Sequence, residues 1–133
     1  MRLSLQTDYA LRTLMFMASK KGKQRATVAD VAGCFRISEA HVAKVVNLLS
    51  RLGYLRSVRG AGGGIELGRD PAQICVGDVI VAFEGNMHLL ECVATEDVCV
   101  IQSHCKLRNV LAKAEQLQLE YLRKIRLSDV IPV

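Results

Sequence analysis

The chain has 133 residues, of which half are apolar and 23% are charged, and it carries five cysteines and a formal net charge of +5. Its length suits one continuous core. With no apolar run long enough to cross a bilayer and no secretion signal at its start, we expect a soluble, cytoplasmic protein. An odd number of irregularly spaced cysteines in such a protein argues against a disulfide framework and leaves reduced thiols or metal ligands.

Three helices are predicted in the first part of the chain. Apolar residues recur at helical spacing over residues 5–18, which predicts the first helix. Thr27, followed three residues later by Asp30, is a capping-box pattern that predicts the start of a short second helix. Ser38 is the predicted N-cap of a third helix, whose apolar residues share one face. Two short capped helices joined by a tight connection at residues 36–37 indicate a helix-turn-helix.

A small β-hairpin is predicted directly after the third helix. Residues 54–58 and 65–67 are strand candidates, and the RGAGGG stretch between them is typical of a hairpin tip that needs positive φ angles. A phosphate-binding loop fits less well, because the stretch lacks the lysine of a P-loop and no helix follows at once. A basic two-stranded wing after a helix-turn-helix suits the minor groove or the backbone of DNA.

Positive charge is concentrated in the same part of the chain. Residues 1–70 carry 12 Lys and Arg against 5 Asp and Glu, a net charge of +7, whereas residues 71–133 have a net charge of −2. This asymmetry is typical of nucleic-acid binding, because basic side chains that neutralise phosphates release counterions. We therefore predict that residues 1–85 form a winged helix-turn-helix DNA-binding domain. Its DNA-binding candidates lie at the start of the third helix and in the wing, and they are Ser38, Glu39, His41, Lys44, Arg59 and Gly60.

Two further helices and a loop are predicted in the remainder, which makes the fold mainly α with a small β-hairpin. An apolar helix over residues 77–84 ends at Gly85, and a long amphipathic helix begins at Lys106. Residues 86–105 show no sustained periodicity, and a loop of that length is usually functional or disordered. The long helix exceeds what the small domain can cover. We predict that residues 106–133 pair with a second copy of the chain, with packing on the first helix as the alternative.

The predicted loop contains Cys92, Cys99 and Cys105. Structural zinc sites favour closely spaced cysteine pairs, and low-potential ferredoxins also use tighter spacing, so the wide gaps fit both poorly. The three thiolates could hold a larger iron-sulfur cluster, and a zinc or thiol switch stays open as the alternative. A cysteine nucleophile would need a positioned histidine and carboxylate, and no such local pattern is present, so no enzyme activity is expected.

Cys34 and Cys75 are predicted to be core residues. Each lies in an apolar stretch, VAGCF or QICVG, where a cysteine behaves as a small buried hydrophobic residue. His88 and His104 lie in the predicted loop and are predicted to be solvated, with metal ligation as the alternative. Among the loop residues, the candidate ligands are therefore the three cysteines.

Several segments together resemble a known family of bacterial regulators. They are MRLSLQTDYALRTLMFMA, ISEAHVAKVVNLLSRLGYLRSVRGAGGGIELG, VGDVIVAFEG and the three-cysteine loop. In this order, over nearly the whole chain, they are similar to the iron-sulfur winged-helix family that includes IscR, and within it to the nitric-oxide-sensing NsrR repressors. The resemblance implies a homodimeric DNA-binding repressor with a [4Fe-4S] cluster, a [2Fe-2S] cluster being the alternative, whose nitrosylation releases DNA.

The resemblance also implies a set of cluster ligands. Cys92, Cys99 and Cys105 would bind the cluster, and Asp8 of the TDYALR segment in the partner subunit would be the fourth ligand. The alternative role of Asp8 is charge complementarity at the helix start. IscR-like members carry a histidine three residues after the third cysteine, and Arg108 at that position favours the nitric-oxide-sensing group. A regulator that senses redox or iron-sulfur status through the same cysteines is the alternative function.

Overall fold

The structure is a computed structural model that describes residues 2–19, 25–85, 87–89, 93, 95, 100–101 and 104–132. Within these ranges the α-helices, in chain order, are α1 (Leu5–Ser19), α2 (Val28–Phe35), α3 (Glu39–Arg51), α4 (Val76–Glu84) and α5 (Lys106–Arg123). The strands β1 (Leu55–Val58) and β2 (Gly64–Leu67) form an antiparallel hairpin, and short 3₁₀ turns cover Pro71–Gln73 and Leu127–Asp129. None of the described helices combines the length and apolar character needed to span a membrane.

Side-chain caps define the starts of α2 and α3, as predicted. The Thr27 hydroxyl accepts a hydrogen bond from Asp30 N at 3.1 Å, and Thr27 N donates to the Asp30 carboxylate at 2.9 Å. The Ser38 hydroxyl accepts from His41 N at 3.2 Å. Between the two helices, Arg36 adopts the left-handed conformation with φ 56° and ψ 46°. The helix-turn-helix is therefore defined by contacts local in sequence.

An aliphatic core fills the space between the helices and the hairpin. Helix α1 packs against both α3 and α4, and the last turn of α3 leads directly into β1. The largest apolar side chains with almost no exposed surface are Leu14, Val31, Val42, Val45, Leu49, Leu55, Ile74, Val79 and Leu127. The chain has few aromatic residues, so the apolar surface that it buries is mostly aliphatic. Burial of these side chains is the main stabilising contribution to the fold.

The hairpin forms a wing that is attached to the segment before α2. Its strands pair with Leu55 opposite Leu67. Ala26 N donates to Ile65 O at 3.0 Å, and Ile65 N donates to Ala26 O at 2.7 Å, so Ala26 continues the sheet as an isolated bridge. Gly64 allows this close approach: its φ is 141°, and a Cβ there would lie 2.6 Å from Ala26 O.

Helix α5 packs against α4 through a glycine. A Cβ at Gly77 would lie 2.7 Å from the backbone nitrogen of Arg123, so the two helices approach closely only because the side chain is absent. The predicted apolar stripe of α5 is divided: Leu111 and Leu122 are half-buried, but an outer row is 53–65% exposed. That outer row comprises Leu107, Val110, Leu117 and Tyr121. The inner side of α5 thus packs on α4, and the outer row is left for another partner.

The prediction that Cys34 is buried is wrong, whereas the prediction for Cys75 is confirmed. Cys75 is 6% exposed and its thiol donates to a backbone oxygen of α5, but Cys34 is exposed. In α2 the buried residues are Val31 and Ala32. Cys34 follows Val31 by three residues and is its neighbour on the helix surface, but it lies outside the buried part of that surface. The apolar composition of VAGCF does not indicate where the buried face ends.

Candidate functional site

The candidate DNA-reading residues of α3 lie on its exposed side. Residues 42, 45, 46 and 49 face the core and fix the orientation of the helix. The predicted contacts at its start are all exposed, and they are Ser38, Glu39, His41 and Lys44. Exposed residues near the start of the second helix of a helix-turn-helix are those that reach base edges in the major groove. The fold brings the four candidates together on one accessible face.

His41 contacts α1 as well as solvent. The centroid of its ring lies 6.1 Å from that of Tyr9, with the two planes tilted by 33°. Tyr9 directly follows Asp8, the predicted fourth ligand. The reading helix is therefore in side-chain contact with the helical turn that carries Asp8.

The tip of the wing has the conformation that its glycines predict. Arg59 and Gly60 are exposed, and Gly60 and Gly62 have φ values of 94° and 73°. Arg69, at the base of the wing, is held against the fold: its guanidinium carbon lies 4.6 Å from the centroid of the Tyr54 ring. Burial raises the pKa of Tyr54, and the nearby Arg69 acts in the opposite direction. The wing therefore presents Arg59 to solvent while Arg69 stabilises its base.

Two further arginines, Arg56 of the wing and Arg25 of the segment before α2, share one carboxylate. Arg25 Nε lies 3.2 Å from Glu66 Oε2, and Arg56 Nη2 lies 3.1 Å from Glu66 Oε1. Arg25 Nη1 also donates to Gly62 O at 3.0 Å. Sequence reasoning missed Arg25 and Glu66, because they are 41 residues apart and no local pattern relates them. Arg56 and Glu66 lie opposite each other in the hairpin. A correct prediction of the hairpin register would therefore have indicated this ion pair.

Asp8 forms an ion pair with Arg12 in the first half of α1. Arg12 Nε lies 2.9 Å from Asp8 Oδ1, and the side chains are 43% and 41% exposed. The hydrogen bond to Asp8, with its charge, raises the pKa of Arg12. The guanidinium carbon of Arg12 also lies 5.7 Å from the centroid of the Phe35 ring in α2. Exposed pairs one helical turn apart contribute little to stability, so another cation can replace Arg12 at small cost.

Cys105 is the predicted thiolate ligand that lies within the described residues. It is half-buried at the N-cap position of α5, where its side chain makes no capping hydrogen bond. The thiolate is the form of cysteine that binds metals. Cys92 and Cys99 lie outside the described residues. In the described part of the chain, no three His, Cys, Asp or Glu side chains are grouped to hold a metal ion. A cluster would need the other cysteines as well.

Two carboxylates fix the chain where the segment that contains the cysteines begins. Glu84, at the end of α4, accepts hydrogen bonds from Ser4 N at 2.6 Å and from the Thr7 hydroxyl at 2.7 Å. Glu115 of α5 pairs with His88 Nδ1 at 2.9 Å, so His88 is bound to the fold rather than simply solvated. The start of α1 and the chain just after α4 are therefore fixed relative to each other.

Comparison with known proteins places this arrangement among bacterial regulators. A family model described as Rrf2, iron-dependent transcriptional regulator, matches residues 3–132. The HTH-type transcriptional regulator NsrR of Bacillus subtilis (strain 168) is 38% identical over 132 residues, which cover 98% of this chain and 90% of that protein. The NsrR of Bacillus licheniformis is 39% identical, with coverage of 98% and 92%.

Solved structures show the same fold. The structure of CymR (YrzC), the global cysteine regulator of B. subtilis, has a TM-score of 0.82 at 25% identity and covers 98% of this chain and 96% of that one. The T. potens IscR structure has a TM-score of 0.75 at 28% identity, with coverage of 97% and 85%. The predicted mainly α winged-helix fold is confirmed.

Proposed function

The chain belongs to the Rrf2 family of transcriptional regulators, and from that premise we propose that it is a cytoplasmic homodimeric repressor that senses nitric oxide through an iron-sulfur cluster. It is a DNA-binding regulator and not an enzyme. The observation that carries the sensing proposal is the position of Asp8. This candidate ligand shares one helical turn with Tyr9 and Arg12, and both contact the helix-turn-helix.

The DNA-binding role is assigned to the exposed start of α3 and to the wing. His41 and Lys44 would meet base edges or phosphates from α3, and Ser38 and Glu39 would lie beside them at the helix start. Arg59 and Gly60 would enter the minor groove or follow the backbone. Support comes from the exposure of all six residues and from the net charge of +7 over residues 1–70.

Cys92, Cys99 and Cys105 of one subunit and Asp8 of the other would hold a [4Fe-4S] cluster. When bound, such a cluster supplies iron sites that react with nitric oxide. The donor set suits it: Cys105 is a free thiol at the start of α5, and Asp8 is an accessible carboxylate with an exchangeable partner.

The contacts of Asp8 provide a route from the ligand to the DNA-binding surface. A carboxylate that binds a metal cannot keep the same pairing with Arg12, and Arg12 lies over Phe35 of α2. Tyr9 lies beside His41 of α3. Asp8 bound to a cluster would give up its pairing with Arg12, and Asp8 without a cluster would keep that pairing. The two states would differ in the contacts of Arg12 with Phe35, and through them in DNA affinity.

The outer row of α5 is assigned to the dimer interface. Leu107, Val110, Leu117 and Tyr121 are exposed by more than half and lie along one helix. Helix-turn-helix proteins usually bind two half-sites as a two-fold dimer, and a long helix with an uncovered apolar row is suited to pair with its own copy. The dimer would also bring Asp8 of one chain to the cysteines of the other.

The test combines a visible spectrum with DNA binding. Protein purified without oxygen should show the visible absorbance of an iron-sulfur cluster, and nitric oxide should change that spectrum and weaken binding to a cognate operator in parallel. Colourless protein with unchanged DNA affinity would contradict the cluster. A coloured protein whose affinity responds to an oxidant but not to nitric oxide would instead identify a redox sensor.

A further inference from the structure

Glu66 has an unusual position for an acidic residue in a basic wing. Its side chain is 20% exposed, whereas those of its two partners, Arg25 and Arg56, are 40% and 66% exposed. The carboxylate therefore lies beneath two guanidinium groups whose outer surfaces meet solvent. We infer that Glu66 is an internal competitor for phosphate, which limits how strongly Arg56 attracts the DNA backbone. This inference rests on the proposed DNA-binding role of the wing.

The two arginines are held to different degrees. Arg25 donates to Gly62 O in the wing tip as well as to Glu66, and the next residue, Ala26, is hydrogen-bonded to β2. Among the described residues, Arg56 has its ion pair with Glu66 and no second one, and it is the more exposed of the two. Arg56 is therefore the arginine that can turn toward a phosphate.

The second arginine makes this exchange inexpensive. A carboxylate left without a partner would oppose the movement of Arg56, because a partly buried charge then loses its compensation. Glu66 keeps Arg25 when Arg56 leaves, since each arginine contacts a different carboxylate oxygen. Arg56 can thus exchange Glu66 for phosphate without disrupting the base of the wing.

The consequence is a limit on sequence-independent affinity. A carboxylate 3.1 Å from Arg56 offsets the charge that a phosphate meets. Contacts to phosphate determine both the strength and the salt dependence of non-specific binding. Glu66 therefore lowers the affinity for DNA of any sequence. The contacts of α3 with base edges then account for a larger fraction of the total binding free energy, and α3 is the helix that the proposed cluster signal reaches.

The experiment uses full-length protein and a short mixed-sequence duplex, so that neither an operator nor the sensing reaction is required. Glu66→Gln keeps the side-chain shape and removes the charge. It should raise affinity by up to about fivefold at moderate salt and steepen the dependence of log affinity on log salt by up to about 0.9. Arg56→Gln alone should weaken binding and flatten that dependence. In the double variant the gain from Glu66→Gln should disappear.

Asp78→Asn is the matched control. Asp78 forms a similar exposed pair with Arg123, 3.2 Å apart, on α4 and α5 and outside the wing. This substitution changes the net charge equally and should leave affinity almost unchanged. The inference is overturned if Glu66→Gln binds no more tightly, if its gain persists without Arg56, or if Arg56→Gln has no effect. A wild-type protein without salt-dependent binding would instead contradict the DNA-binding role itself.

Discussion

Asp8 and Arg12 form an ion pair one helical turn apart, with 2.9 Å between Asp8 Oδ1 and Arg12 Nε. The same arginine lies over Phe35 of the helix-turn-helix. A single side chain therefore contacts both the candidate ligand and the DNA-binding unit. Asp8 has two candidate roles, cluster ligand and charge complementarity at the helix start. Only the first role requires Asp8 to exchange Arg12 for another partner, so variants of Asp8 and Arg12 distinguish the two.

Asp8→Ala should alter the visible circular dichroism of the anaerobic protein and speed the loss of the proposed cluster, because the substitution removes the proposed fourth ligand. Arg12→Gln breaks the same ion pair but keeps the carboxylate, so it should retain the spectrum. Both variants should melt close to the wild type, since exposed pairs contribute little to stability. An unchanged spectrum in Asp8→Ala would assign Asp8 to the helix start alone.

Lys44→Gln should weaken DNA binding and reduce the salt dependence of log affinity by about 0.9, the value for one lost phosphate contact. Lys44 is exposed beside the other candidates of α3. Lys113→Gln is the control, because Lys113 is also exposed but lies on α5. Binding should be followed over a salt series. Equal effects of the two substitutions would mean that net charge, and not the α3 surface, determines affinity.

Gly77→Ala should destabilise the protein by about 1–3 kcal/mol, as overpacking of a close contact usually does. The added Cβ would meet the backbone of α5 near Arg123. Gly33 is also helical, but a Cβ added there would meet no described atom outside its own helix within 4 Å, so Gly33→Ala should stabilise by up to about 1 kcal/mol. Chemical denaturation measures both. If Gly77→Ala were as stable as Gly33→Ala, α5 would not depend on this approach.

Glu84→Gln should reduce the acid sensitivity of the fold. Burial acts to raise the pKa of Glu84, but the hydrogen bonds from Ser4 and Thr7 outweigh it and lower the pKa below its ordinary value of 4.5. A lowered folded-state pKa gives stability that is present above pH 4.5 and lost as pH falls through the folded-state value. Melting temperatures across this range should fall less steeply for the variant. Parallel curves for both proteins would contradict the linkage.

Local chemistry explains which parts of the fold could be predicted from sequence. The capping box of Thr27 and Asp30, the Ser38 cap and the glycines of the wing tip each act within a few residues, and each prediction is confirmed. The exposure of Cys34 was missed because the apolar composition of its segment does not indicate which positions of α2 are covered by other elements.

Contacts between distant residues could not be predicted in the same way. Glu66 joins two arginines from separate segments, and Gly77 meets Arg123 only once α4 and α5 have packed. No local spacing encodes either contact. The proposed ligand set is harder still to predict, because a fourth ligand such as Asp8, contributed by another chain, would leave no spacing pattern in one sequence.

The backbone pairing of Ala26 with Ile65 has a mechanical consequence for regulation. Two hydrogen bonds join the wing to the residue that immediately precedes the α2 cap, so the hairpin and the helix-turn-helix are connected at both ends of the hairpin. The wing and the helix-turn-helix therefore form one hydrogen-bonded unit. In the proposed dimer, we expect a change in the spacing or tilt of two such units to change the DNA affinity without altering the inside of either unit.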